Sequence, residues 1–218
     1  MKSDAELQQD VMDELHWDAA TRQMEIGVAA KGGVVSLFGA VPNFSVKLAA
    51  EAAAERVSGV RALADELTVT LASSSERSDT VLAHAALSAL QWDVDAPHET
   101  IHLKTDGGWL TLEGTVETNF QRRAAERAVR YLTGVRGVIN HIKIHPTVVS
   151  PSEVTINIKR ALHRTADIDA KRIIVEAHDG TVTLRGAVRS WAERTDVERA
   201  AWSAPGVRAV DDQLLVGT

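Results

Sequence analysis

The chain of 218 residues contains no cysteine, which excludes disulfides, thiolate metal sites and cysteine nucleophiles. It also lacks an apolar run long enough for a signal peptide or membrane anchor: Met1, Lys2, Ser3, Asp4, Ala5 and Glu6 lead straight into a charged amphipathic stretch. With Met1 as the native start, the expectation is a cytoplasmic protein without a transmembrane segment; a replaced N-terminus would make it periplasmic. Positive charge is in deficit. The formal net charge is −6, carried as −5 by residues 1–75, −1 by 76–149 and 0 by 150–218. A nucleic-acid binder needs a basic surface for phosphate contacts, so nucleic acid is not an expected partner. A nucleophile elbow, a Gly-Lys-Ser phosphate loop, a metalloprotease histidine pair and a dinucleotide fingerprint are all missing. No catalytic residue and no cofactor are therefore expected.

What is present is a repeat. Gly39, Gly114 and Gly186 are spaced by 75 and 72 residues, and the same spacings relate Gly59, Gly134 and Gly206. Each of the second set opens one tripeptide: Gly59-Val60-Arg61, Gly134-Val135-Arg136, Gly206-Val207-Arg208. A third glycine (Gly33, Gly108, Gly180) stands six residues before the first of each copy. Ser3, Ser78 and Ser150 each precede an apolar-periodic run and read as helix N-caps. Ser3 with Glu6 and Ser150 with Glu153 fit capping boxes, and Pro151 takes the first helical position. The expected division is residues 1–71, 78–145 and 150–218, joined by short linkers at 72–77 and 146–149. Linkers this short favour a fixed relative orientation.

Within one unit, a capped helix is followed by period-two alternation around Val28, Leu103 and Val175, which predicts a strand. Lys31-Gly32-Gly33, Asp106-Gly107-Gly108 and His178-Asp179-Gly180 supply the positive-φ residues of a tight hairpin. A second strand, a helix with the stripe Ala125, Ala128, Val129 and Leu132, and a third strand complete the unit. The fold class expected is α+β: three tandem α-β-β-α-β units, each a three-stranded mixed sheet with two helices on one face. Gly39, Gly114 and Gly186 fall at a core-facing strand position, which leads one to expect a helix in close approach.

These residues resemble the BON (bacterial OsmY and nodulation) domain family. The resemblance rests on Val35-Ser36-Leu37-Phe38-Gly39-Ala40-Val41, Leu110-Thr111-Leu112-Glu113-Gly114-Thr115-Val116 and Val182-Thr183-Leu184-Arg185-Gly186-Ala187-Val188. In every copy Gly-Val-Arg follows, with Asp65, Asn140 or Asp212 four residues after the arginine. It covers nearly the whole chain. It implies a non-catalytic role in osmotic or envelope stress, with binding to phospholipid or other hydrophobic surfaces. A potassium-linked ion sensor is a further role known in the family.

Function is sought where the copies differ. Arg123, Arg127 and Arg130, with Arg122 beside them, place guanidinium groups along one helix face; this is a candidate contact for anionic phospholipid headgroups or a protein partner, or else a solvated face. Trp17 and Trp92 hold equivalent positions after the first helix, where the third copy has Arg164; Trp191 and Trp202 lie on the third copy's second helix. Tryptophan suits a membrane interface and equally a domain contact. The outer sheet face of copy one, with Gly27, Ala29, Val34 and Phe38, is apolar, so Val34 and Phe38 are expected to pack on a sister domain, another subunit or a hydrophobic ligand, with domain packing favoured. His102, His141 and His145 lie on the outer face of copy two and are weak candidates for a metal if the third strand lies beside the first. Two further readings stand beside the lipid or client contact: a small-ligand or ion sensor, with ligand held between domains, and an assembly scaffold that oligomerises.

Overall fold

The computed structural model describes residues 2–146, 149–165 and 170–217. Residues 147 and 148 of the expected second linker lie outside that set. Copy one contains α1 (Asp4–Trp17), β1 (Gly27–Lys31), β2 (Val34–Val41), α2 (Phe44–Arg56) and β3 (Ala62–Val69). Copy two contains α3 (Asp79–Trp92), β4 (Ile101–Asp106), β5 (Trp109–Val116), α4 (Asn119–Arg130) and β6 (Gly137–Ile144). Copy three contains α5 (Pro151–Arg164), β7 (Ile173–His178), β8 (Thr181–Val188), α6 (Trp191–Trp202) and β9 (Ala209–Val216). Each copy is an α-β-β-α-β unit whose middle strand runs antiparallel to the first and parallel to the third.

Local chemistry sets the elements. Ser3, Ser78 and Ser150 each accept a hydrogen bond from the backbone N–H three residues on, satisfying a donor that the helix leaves unpaired. Glu6 returns the bond to Ser3, whereas no return bond from Glu153 is made among the described residues. A second full capping box, Thr118 with Gln121, opens α4. Asp79 accepts from the hairpin N–H groups of Gly107 and Gly108 at 2.9 and 3.0 Å, and these bonds hold its carboxyl below the usual range. Asp4 accepts a hydrogen bond from the Gly32 N–H at 2.8 Å, so the first helix of each of these copies is tied to its own hairpin.

The shared glycines have backbone reasons. Both central residues of each hairpin have positive φ, Asp179 included. The arginine of each Gly-Val-Arg donates its backbone N–H to the hairpin glycine carbonyl, at 2.7 Å for Arg61, 2.9 Å for Arg136 and 2.8 Å for Arg208. The preceding Val60, Val135 and Val207 are buried in the cores. One expectation is corrected. Gly39, Gly114 and Gly186 are approached not by a packed α-helix but by backbone: a Cβ there would meet the backbone oxygen of Glu25, or of Thr100 or Arg172 at the end of a short 3-10 turn, and φ lies at +126°, +134° and +133°. The chain entering the first strand crosses over the second at that point, and only glycine leaves it room.

Each unit keeps its own core, in which Leu37, Leu112 and Leu184 are fully buried at equivalent strand positions. Each such side chain contributes about 1.5–3 kcal/mol through burial. The units then join through their second helices. Phe44 packs against the cores of copies one and two, Trp191 against copy one, and Trp202 against copies two and three. Phe44, Asn119 and Trp191 are equivalent positions by the repeat spacing: Phe44 reaches copy two, Asn119 lines a cleft shared with residues of copy three, and Trp191 returns to copy one. Every unit therefore touches both others, and the three second helices form a closed hub.

The outer sheet face of copy one does not take part. Val34 and Phe38, expected at a domain junction, are about half exposed, and the Phe38 ring lies over Gly27, its cross-strand partner. Trp109 covers Gly137 in copy two in the same way. An aromatic ring over a strand glycine shields local backbone and leaves the rest of the face open. The hub forms on the helix side because that is where Phe44, Trp191 and Trp202 stand.

Candidate functional site

The distinctive residues of copy two converge on α4, whose interior face carries Ala124, Ala125 and Val129 into the core. Its outer positions separate by environment. Arg122 is half-buried, with its guanidinium 4.9 Å from the ring centre of Trp202 in copy three; burial lowers its pKa, opposed by Glu126 and Glu198. Arg130 donates to the Tyr131 hydroxyl at 2.6 Å and stacks on that ring at 4.7 Å. Arg122 is thus engaged with copy three and Arg130 with its neighbour Tyr131. Arg123 and Arg127, one helical turn apart, remain exposed.

Arg123 and Arg127 line a cleft of about 370 Å³ together with Asn119, Phe120, Arg199, Trp202 and Ser203. It lies between α4 and α6, so two units build it. Arg127 sits 5.6 Å from the Phe120 ring centre. Among the described residues, Arg199 is the member of the arginine trio with an acidic partner, Asp196 at 2.9 Å. Asn119 is only 5% exposed, and its Oδ1 has no hydrogen-bond partner among the described residues. Arg199 and Asn119 escaped sequence reasoning. The available signal was repeat equivalence, since Arg127 and Arg199 occupy one position in copies two and three, but the spacing did not reveal that the helices meet.

The tryptophans divide into two pairs. Trp17 and Trp92, the last residues of α1 and α3, are 83% and 86% exposed. Trp191 and Trp202 are hub residues, which accounts for them as domain contacts. Arg194 stacks on Trp191 at 4.7 Å, and the Trp202 indole donates to Glu198 at 3.1 Å.

The histidine expectation is also corrected. The central strand of copy two is β5, so β4 and β6 are not neighbours. His102 and His141 flank Glu113 from opposite strands, and His145 lies beyond the end of β6. Among the described residues no group of histidine and carboxylate side chains could hold a metal ion.

A second electrostatic feature lies beside the hub in copy one. Lys47 pairs with Asp65 at 2.6 Å. Glu51 on the same helix is pushed up to about 7, first by burial and then by its hydrogen bond to Asp65 and that group's charge. Glu55 is raised by burial, with Arg194 of copy three opposing the shift.

Comparison with known proteins places these features. The pattern of the BON domain matches residues 3–70, 78–146 and 152–218. Osmotically-inducible protein Y of Escherichia coli (strain K12) is 33% identical over 124 residues, covering 52% of this chain and 60% of that relative. Among solved structures, CdsD, a structural protein of the type III secretion system of Chlamydia trachomatis, aligns over 96% of this chain and 91% of its own. At 16% identity and a TM-score of 0.28 that likeness carries no argument.

Proposed function

Because the chain belongs to the BON domain family, with three copies in tandem, we propose that it is a non-catalytic, osmotic-stress-associated binding protein that contacts anionic phospholipid surfaces. The stress association is supported by its similarity to an osmotically-inducible protein. The observation that carries the surface contact is the pair Arg123 and Arg127, exposed one turn apart at the edge of the hub. Guanidinium forks match phosphate oxygens, and each basic residue near an anionic surface contributes about 1 kcal/mol. Trp17 and Trp92 add two exposed indoles, whose apolar body and polar N–H suit the headgroup region. No helix among the described residues is long and apolar enough to cross a membrane. Flotation with phosphatidylglycerol vesicles tests this reading. Binding is expected with anionic vesicles, absent with neutral ones, and weakened roughly thirtyfold in the Arg123→Ala, Arg127→Ala double variant. Equal flotation of the variant and the parent protein would remove the proposed contact.

A further inference from the structure

The cleft between α4 and α6 has features that a flat membrane contact does not require. Arg123 and Arg127 approach it from copy two and Arg199 from copy three, so three guanidinium groups on two units converge on one space. One carboxylate, Asp196, is paired with them among the described residues. The first turn of α4 lies at the same cleft, and the positive end of a helix dipole adds to the attraction for an anion. Phe120 and Trp202 supply apolar walls. Asn119 lines the cleft with a buried Oδ1 that lacks a donor, and a buried acceptor left unpaired is costly. The volume of about 370 Å³ lies within the range of small-ligand clefts.

We propose that this cleft binds a phosphate ester carrying a free hydroxyl: the three arginines hold the phosphoryl group across the junction of copies two and three, and the hydroxyl donates to Asn119. The inference shares Arg123 and Arg127 with the surface reading above but does not depend on a membrane. The ester can be free in solution or part of a lipid headgroup, and binding in either form locks the two units together.

Titration calorimetry with glycerol phosphate tests the free form, and phosphatidylglycerol vesicles test the lipid form. Saturable one-site binding is expected in at least one arm, with a loss of tenfold or more in Arg199→Gln and in Arg123→Gln. Arg160→Gln, which removes the same charge from an exposed position on α5, is expected to bind as the parent does. Glycerol phosphate is expected to bind about fivefold tighter than methyl phosphate, a preference that Asn119→Ala abolishes. Binding of free ester without vesicle binding supports the cleft and removes the surface reading. Vesicle binding that needs Arg123 and Arg127 but not Arg199, with no free-ester binding, overturns the cleft and leaves the surface reading intact. Equal losses in Arg199→Gln and Arg160→Gln would reduce the effect to general charge and also overturn it, as would the absence of binding in both arms.

Discussion

Asp65, Asn140 and Asp212 occupy one position in the three copies. Each uses a side-chain oxygen to accept from the backbone N–H two residues on, at 3.0, 3.1 and 2.9 Å. Beyond that shared turn the copies differ. Asp212 pairs with Arg194 at 2.7 Å, while Asn140 donates its amide to Glu126 at 3.1 Å. Asp65 faces Glu51, the equivalent of Glu126, with a carboxylate where copy two has a donor, and burial first, with Asp65 adding to it, pushes the Glu51 carboxyl up to about 7. A carboxyl whose folded-state pKa is raised from 4.5 binds its proton more tightly folded than unfolded. Its contribution to stability is therefore fully present below about pH 4.5 and is lost as pH climbs to about 7. Asp65→Asn is expected to restore the donor and return Glu51 toward ordinary carboxylate behaviour, read by carboxyl NMR titration. Glu51→Gln is expected to melt at a higher temperature than the parent at pH 8 and to show little difference at pH 4; an unchanged gap between those two pH values would contradict the assignment. None of this was readable from spacing, because Glu51 is shifted by burial and by a neighbour 14 residues away in sequence.

Helices, hairpins and strands were largely legible in the sequence because each has a local chemical cause: Ser3, Ser78 and Ser150 cap, paired glycines turn, and Val35, Leu37 and Val41 alternate into the core. The strand glycine was legible as a constraint but not as to its cause. What closes on Gly114 is the carbonyl of Thr100, a tertiary contact that no periodicity encodes. Two glycines of copy two separate conformation from crowding. Gly107 has φ +56° and nothing near its missing Cβ, whereas Gly114 has φ +134° and backbone in contact. Gly107→Ala is expected to cost about 1 kcal/mol. Gly114→Ala is expected to cost about 3 kcal/mol or more, since strain and a backbone clash act together. Urea unfolding of the two variants measures the difference, and equal costs would show that crowding at β5 is relieved cheaply.

In the whole molecule the second helices carry the load between units, and Trp191 is the piece that brings copy three back to copy one. Its ring packs on the first core, yet its buried indole N–H has no partner among the described residues. Trp191→Phe is therefore expected to keep the compact arrangement, since it retains an aromatic ring and removes an unpaired donor. Trp191→Ala is expected to weaken the junction by about 2 kcal/mol, roughly half the cost of emptying a full aromatic site. Small-angle scattering would then show an increased radius of gyration, and calorimetry would show separate transitions for the released units. An unchanged scattering curve for Trp191→Ala would mean that the hub does not rely on it. The site at the hub was legible only as fragments, because Arg127 on α4 and Arg199 on α6 become neighbours through the closure of the chain on itself. That closure also limits how such a protein can evolve. An open stack of repeats leaves an uncovered face at each end, so it can lengthen by duplication one member at a time. Here each copy already spends its helix face on the other two, and a fourth would find no vacancy without breaking a junction. What is new then comes from divergence among the copies: Asn119 stands where the others have Phe44 and Trp191, and Asn140 where they have Asp65 and Asp212.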